Sequence, residues 1–179
     1  RPILNDLSVF FKIFDEFENN KIYYYLGIIP DLLENNIKQN DKNRLLQYKY
    51  LIPCQHGYDH RYSEMSQKLI AANDEFNTKT LGCFNEFENI SQSEIESKIL
   101  KGKLYLEKFF NRKINHYIPV CNYIDDVLIN VVKAQDFKYI FKVQYSPKIN
   151  GLVTINTDIS CRLNEIETKH FYNCICLHV

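Results

Sequence analysis

The chain has no tryptophan among its 179 residues, no excess of either charge, and no CxxC pair among its six cysteines. Each absence excludes something. The 22 basic and 22 acidic residues cancel without forming a Lys/Arg block, so the electrostatic footprint of a nucleic-acid binder is missing. No apolar run approaches the about 20 residues that span a bilayer, and the N-terminus lacks the basic-then-apolar shape of a signal peptide. No membrane span is expected, and a cytoplasmic location is, although the start at Arg1 leaves room for a removed leader or a trimmed chain. The cysteines at 54, 83, 121, 161, 174 and 176 form no compact even framework, which reads as free thiols in a reducing compartment. No repeat, low-complexity tract or linker divides the chain.

What is there is globular. Hydrophobic residues make up 45% and charged residues 25%, and the length suits one domain over 1–179 with a real core. Most of the thirteen Tyr and twelve Phe lie within periodic apolar runs, so core packing is their default role.

The periodicities alternate. A short strand over 1–4 ends at Asn5-Asp6, and Ser8 is placed to cap a helix over 9–19 whose Val9, Phe10, Ile13, Phe14 and Phe17 share a face. A Tyr- and Ile-rich strand over 21–29 stops at Pro30, and 31–47 reads as one helix or two broken near Asn40. A strand over 48–54 follows. The polar stretch 61–88 resists assignment, and long connections of this kind often belong to a binding site. Ser91 and Glu94 resemble a capping box opening a helix to 110, with Ile95, Ile99, Leu106, Phe109 and Phe110 as its core stripe. Strands over 115–120, 137–143, 152–155 and 172–178 and a helix over 125–135 complete the pattern. Six or seven strands, several separated by helices, predict an α/β fold: a distorted (β/α) barrel of about seven strands, with functional groups at the C-terminal strand ends.

Residues 51–62 are the most informative dozen. His56 and His60 stand four apart after an apolar run, with Gly57 between them where the backbone turns. Neutral imidazole is the commonest protein metal ligand, and two on one short segment converge readily on one ion. Asn5-Asp6 and His178 also stand at strand ends. In a closed parallel sheet all three groups face one mouth, where a carboxylate and imidazoles make a set for a divalent metal with positions left open.

At these residues the chain resembles the polysaccharide deacetylase (NodB-homology, carbohydrate esterase family 4-like) superfamily, as a divergent member. Ile3-Leu4-Asn5-Asp6 is similar to its strand-plus-Asp-Asp motif, His56-Gly-Tyr-Asp-His60 to its two-histidine motif, Tyr117-Ile-Pro-Val-Cys-Asn122 to its proline motif and Cys176-Leu-His178 to its terminal Leu-His motif. Their order and spacing extend the resemblance over nearly the whole chain. It implies a hydrolase acting on a non-peptide C–N bond, removing acetyl or similar acyl groups from a sugar or polysaccharide during synthesis of a surface glycan. Asp6, His56 and His60 would ligate a divalent metal, zinc foremost. His178 would act as general acid, Asn5 occupies the position of the base, and Pro119, Asn122 and Tyr58 would shape the substrate pocket.

The departures weigh on catalysis. An amide cannot take a proton from water, so Asn5 is no substitute for the family's first aspartate. Tyr117 stands where an arginine is common, and the tryptophan of a further motif has no counterpart. Sliding the first motif by one would restore a base at Asp6 but put Leu7 in the ligand position. Asp59, Glu86, Asp125 and Asp126 are candidate replacement bases that the sequence does not rank. Cys174, Cys176 and His178 alternate along one strand as a rival zinc set, although a rise of about 3.3–3.4 Å per residue stretches them too far for one ion. His116 and His170 read as structural or surface residues. Two function classes therefore stand: a metal-dependent hydrolase, and a catalytically impaired glycan-binding protein that keeps the fold and metal site.

Overall fold

The computed structural model describes residues 7–61, 85–143, 149 and 151–157. The expected strands over 1–4 and 172–178, Asn5, Asp6, His170, Cys174, Cys176, His178 and most of the stretch 61–88 lie outside the described residues.

Helix α1 (Ser8–Asn19) packs Phe14 inward, as the spacing predicts, with Phe10 and Phe17 partly buried against the core, and it also buries Phe11, which the spacing does not place on that face. Its cap differs: Leu7 takes the capping position without a side-chain bond, and Ser8 is already the first helical residue. The reason is packing, since Leu7 is buried and its carbonyl accepts the Phe11 N–H at 2.9 Å. Strand β1 (Tyr24–Ile28) is followed by α2 (Pro30–Asn36) and α3 (Gln39–Leu45), the two-helix alternative. Pro30 starts α2 at a position where a missing N–H costs nothing. Strand β2 (Leu51–His56) runs two residues further than the expected end at 54, so His56 belongs to the strand itself. Helix α4 (Gln92–Phe110) begins where Ser91 accepts the Glu94 N–H, buries the expected stripe, and ends at a left-handed Asn111. Strand β3 (His116–Ile118), a 3₁₀ turn (Val120–Asn122), helix α5 (Asp126–Ala134), and strands β4 (Tyr139–Val143) and β5 (Val153–Thr157) follow.

The five strands form one parallel sheet in the order β1-β2-β3-β4-β5. This is the α/β architecture expected. Among the described residues the sheet has five strands and is open, not a closed ring of seven. Because every strand points the same way, all C-terminal ends share one rim.

Alternation along the strands divides the sheet into two faces. Tyr24, Leu26, Ile28, Leu51, Tyr117 and Ile140 join the helices in the main core. On the other face Cys54, Ile118 and Phe141 cluster with Tyr25 and Ile155. At the N-terminal end of that face lies a floor of rings, in which His116 stacks on Tyr139 at 4.5 Å and Tyr25 meets both His116 and Phe141. Burial lowers the pKa of His116, keeping it neutral in this layer, which agrees with its structural reading. Among the described residues no helix is long and apolar enough to cross a membrane.

Candidate functional site at the strand ends

His56 closes β2 on the face opposite the main core and is buried. Its Nδ1 lies 3.0 Å from the carbonyl oxygen of Ile118, its neighbour in register on β3. A carbonyl only accepts, so Nδ1 carries the proton and the lone pair of neutral His56 is on Nε2. The Nε2 of half-buried His60 stands 3.0 Å from it. The sequence pair is thus a spatial pair. Two nitrogens each about 2.0–2.1 Å from a shared tetrahedral ion stand about 3.3–3.4 Å apart, so the pair is within a few tenths of an ångström of a ligand arrangement. In the absence of an ion the same contact is a hydrogen bond from His60 to His56.

The turn between them is built around close approaches. Gly57 is left-handed (φ 58), and a Cβ there would meet Glu86 Oε1 at 2.3 Å and Val120 Cγ2 at 2.4 Å. His60 is left-handed too (φ 55), a conformation that costs an ordinary side chain energy and needs outside support. That support includes four hydrogen bonds to the loop backbone. Gln55 Nε2 donates to the Gly57 carbonyl at 3.0 Å, the Asp31 N–H to the Tyr58 carbonyl at 3.0 Å, and Tyr58 N–H and His60 N–H donate to Glu86 Oε1 and Oε2, each at 2.8 Å. Gln55 also donates to Ile99 of α4 at 3.1 Å, where the backbone at Gly102 leaves no room for a side chain.

Burial pushes the Glu86 carboxyl up to about 7 against the two N–H bonds that favour its charged form. Asp59 is buried as well, and accepts from Lys98 Nζ at 3.0 Å and from the Arg61 N–H at 3.1 Å. Asp125 caps α5 through the Leu128 N–H at 2.7 Å and also accepts from the Tyr123 hydroxyl. Asp126 lies exposed in the first turn of α5. Three of the four candidate replacement bases therefore already hold backbone or lysine partners.

Pro119 is buried where β3 leaves the sheet, and the half-buried Cys121 and Asn122 after it are consecutive left-handed residues (φ 49 and 58). Such backbone recurs at ligand sites. Val120 packs beneath Gly57, so the proline turn and the histidine turn are in contact. The Tyr58 ring is buried beside α4, with Lys98 and Lys101 5.8 and 5.4 Å from its centroid, a placement that makes it an anchor of the turn. Tyr117, in the position where the resemblance places an arginine, points into the helix-side core against Phe137. Among the described residues no group of three or more His, Cys, Asp or Glu is assembled to hold a metal, and Asp6, Asn5 and His178 lie outside them.

The loop-holding roles of Gln55 and Glu86 did not follow from the sequence. A glutamine inside an apolar strand was a usable signal for the first. Glu86 lies 26 residues beyond His60 and carried none beyond its charge.

No protein-family model matches the chain, and no curated protein does. Solved structures do. The Streptococcus pyogenes deacetylase PplD in complex with acetate matches with a TM-score of 0.60 at 13% identity, over 84% of this chain and 58% of that one. IcaB from Ammonifex degensii gives 0.58 at 14% identity, over 84% and 64%. A de-N-acetylase from Aggregatibacter actinomycetemcomitans gives 0.55 at 11% identity, over 83% and 65%. The chain spans less than two thirds of the length of each, and at these identities what it shares with them is the fold.

Proposed function

We propose that this chain, built on a fold it shares with the deacetylase PplD, IcaB and a de-N-acetylase, is a metal-dependent hydrolase that removes acetyl or similar acyl groups from the nitrogen of a sugar or polysaccharide, in the cytoplasmic synthesis of a surface glycan. The observation that carries the reading is the convergence of His56 Nε2 and His60 Nε2 to 3.0 Å at the C-terminal rim of a parallel sheet. The donor chemistry fits a divalent ion. His56 is held in the tautomer that leaves Nε2 unprotonated, through the bond of its Nδ1–H to a backbone carbonyl that ligand histidines commonly make.

His56 and His60 would hold the ion with Asp6 as third ligand. Zinc, the first choice for such a set, supplies Lewis-acid polarisation of the acyl carbonyl and a water of lowered pKa. His178 would give a proton to the leaving nitrogen, and Asn5 would orient a water by hydrogen bonding without taking its proton. Pro119 and Asn122, in the strained turn against the histidine loop, would shape the acyl pocket.

A second reading, a glycan-binding protein that keeps the metal but not the chemistry, draws support from Asn5 and from the structural posts held by Asp59, Glu86 and Asp125. Metal analysis together with acetate release from an N-acetylated oligosaccharide separates the cases. The hydrolase reading expects one equivalent of divalent metal and acetate release, both falling to background in His56→Ala and His60→Ala. Release only after Asn5→Asp favours the binding protein, and a metal-free protein sinks both.

A further inference from the structure

We propose that Glu86 is a positioning residue for the histidine pair: its carboxylate spans the backbone N–H groups of Tyr58 and His60 and so sets where the His60 imidazole meets that of His56. The inference rests on the metal-site reading of the pair. Both carboxylate oxygens are committed, one to each amide at 2.8 Å. The side chain is buried, so these bonds lie in a poorly screened place and are charge-assisted in the ionised form.

The clamp acts on the residue that needs it. His60 holds a left-handed backbone, and the Glu86 oxygen binds the N–H of that same residue. Gly57 supplies the cradle, because a Cβ there would displace Glu86 Oε1. Without the carboxylate the Tyr58 and His60 amides lose this acceptor, and the left-handed backbone of His60 loses the bond made at its own N–H. Its Nε2 then leaves the 3.0 Å approach to His56. Glu86 on this account works through the backbone and touches no substrate.

The test is zinc affinity of the full chain, by competition with a chromophoric chelator, together with the visible spectrum of the Co(II)-substituted protein, which reports ligand geometry. Glu86→Gln keeps the shape but turns an NH₂ toward one of the two amides. It is expected to bind zinc about 10- to 100-fold more weakly and to shift the Co(II) bands. Val132→Ala, a cavity in buried α5, serves as a control for lost stability alone and should retain both. Should Glu86→Gln not fold, Glu86→Asp, one methylene too short to span both amides, is read on the same scale. Zinc affinity and Co(II) bands unchanged from the unaltered protein, or changed no more than in Val132→Ala, overturn the proposal. An unaltered protein that binds no zinc defeats the metal reading instead, and the clamp is then decided by hydrogen exchange: faster exchange of the Tyr58 and His60 amides in the variant supports it, and unchanged exchange overturns it.

Discussion

Gly57 sits between a carboxylate oxygen and a valine methyl with no room for a side chain of its own. A left-handed backbone costs an L residue about 1–2 kcal/mol, and forcing an extra methyl into packed surroundings costs about 1–3 kcal/mol. Gly57→Ala is therefore expected to lose about 2–5 kcal/mol of unfolding free energy, measured by urea denaturation, and to weaken zinc binding with it. At this scale the sequence was informative where chemistry is local. Two histidines four apart around a glycine announced themselves. Glu86 did not, because its function comes from meeting amides 26 and 28 residues away, a coincidence only the fold creates. Tyr58 shows another limit: its place between two histidines suggests a substrate contact but gives no sign of the packing of its ring beside Lys98 and Lys101 of α4.

Helices were legible as elements because apolar periodicity follows from burying one face: α4 buries its whole marked stripe, α5 buries Leu128, Val131 and Val132 but exposes Val127, and α1 buries Phe14 with Phe10 and Phe17 only partly covered. Their ends were less so. Leu7 rather than Ser8 takes the capping position of α1, since a buried leucine there outweighs a capping hydroxyl. Strand β2 continues to His56 because both neighbours extend the ladder, Ile28 beside Gln55 and Ile118 beside His56. How elements lock to one another was not visible at all. Asp15 of α1 accepts from Arg44 of α3 at 2.5 Å and from the Tyr48 hydroxyl at 2.8 Å. Burial and the bond to Asp15 push Tyr48 up to about 12, so the folded state keeps this phenolic proton longer than the unfolded chain, whose tyrosines titrate near 10. The contribution is full below about pH 10 and is lost as pH rises through about 12. Unfolding free energies of the unaltered protein and Tyr48→Phe should converge over that interval, and a constant gap would contradict it.

For the whole molecule, alternation of strands and helices was enough to predict an α/β architecture, and the likeness in fold to PplD, IcaB and the de-N-acetylase agrees with it. About seven strands were expected and five are described, the other candidates lying at 1–4 and 172–178, outside the described residues. Closure of a barrel is set by strand tilt and register, which composition does not encode. If the rim binds zinc only in the folded state, free zinc at 100 times its dissociation constant should add about 2.7 kcal/mol to the unfolding free energy, and none in His60→Ala. The floor of rings at the other end of the sheet has its own consequence. Among the described residues Tyr25, His116, Tyr139 and Phe141 fill the N-terminal end of the face that bears His56. Removing one of these rings would leave a gap beneath the strand ends that carry His56, so damage there would register as loosened packing before it registered as altered chemistry.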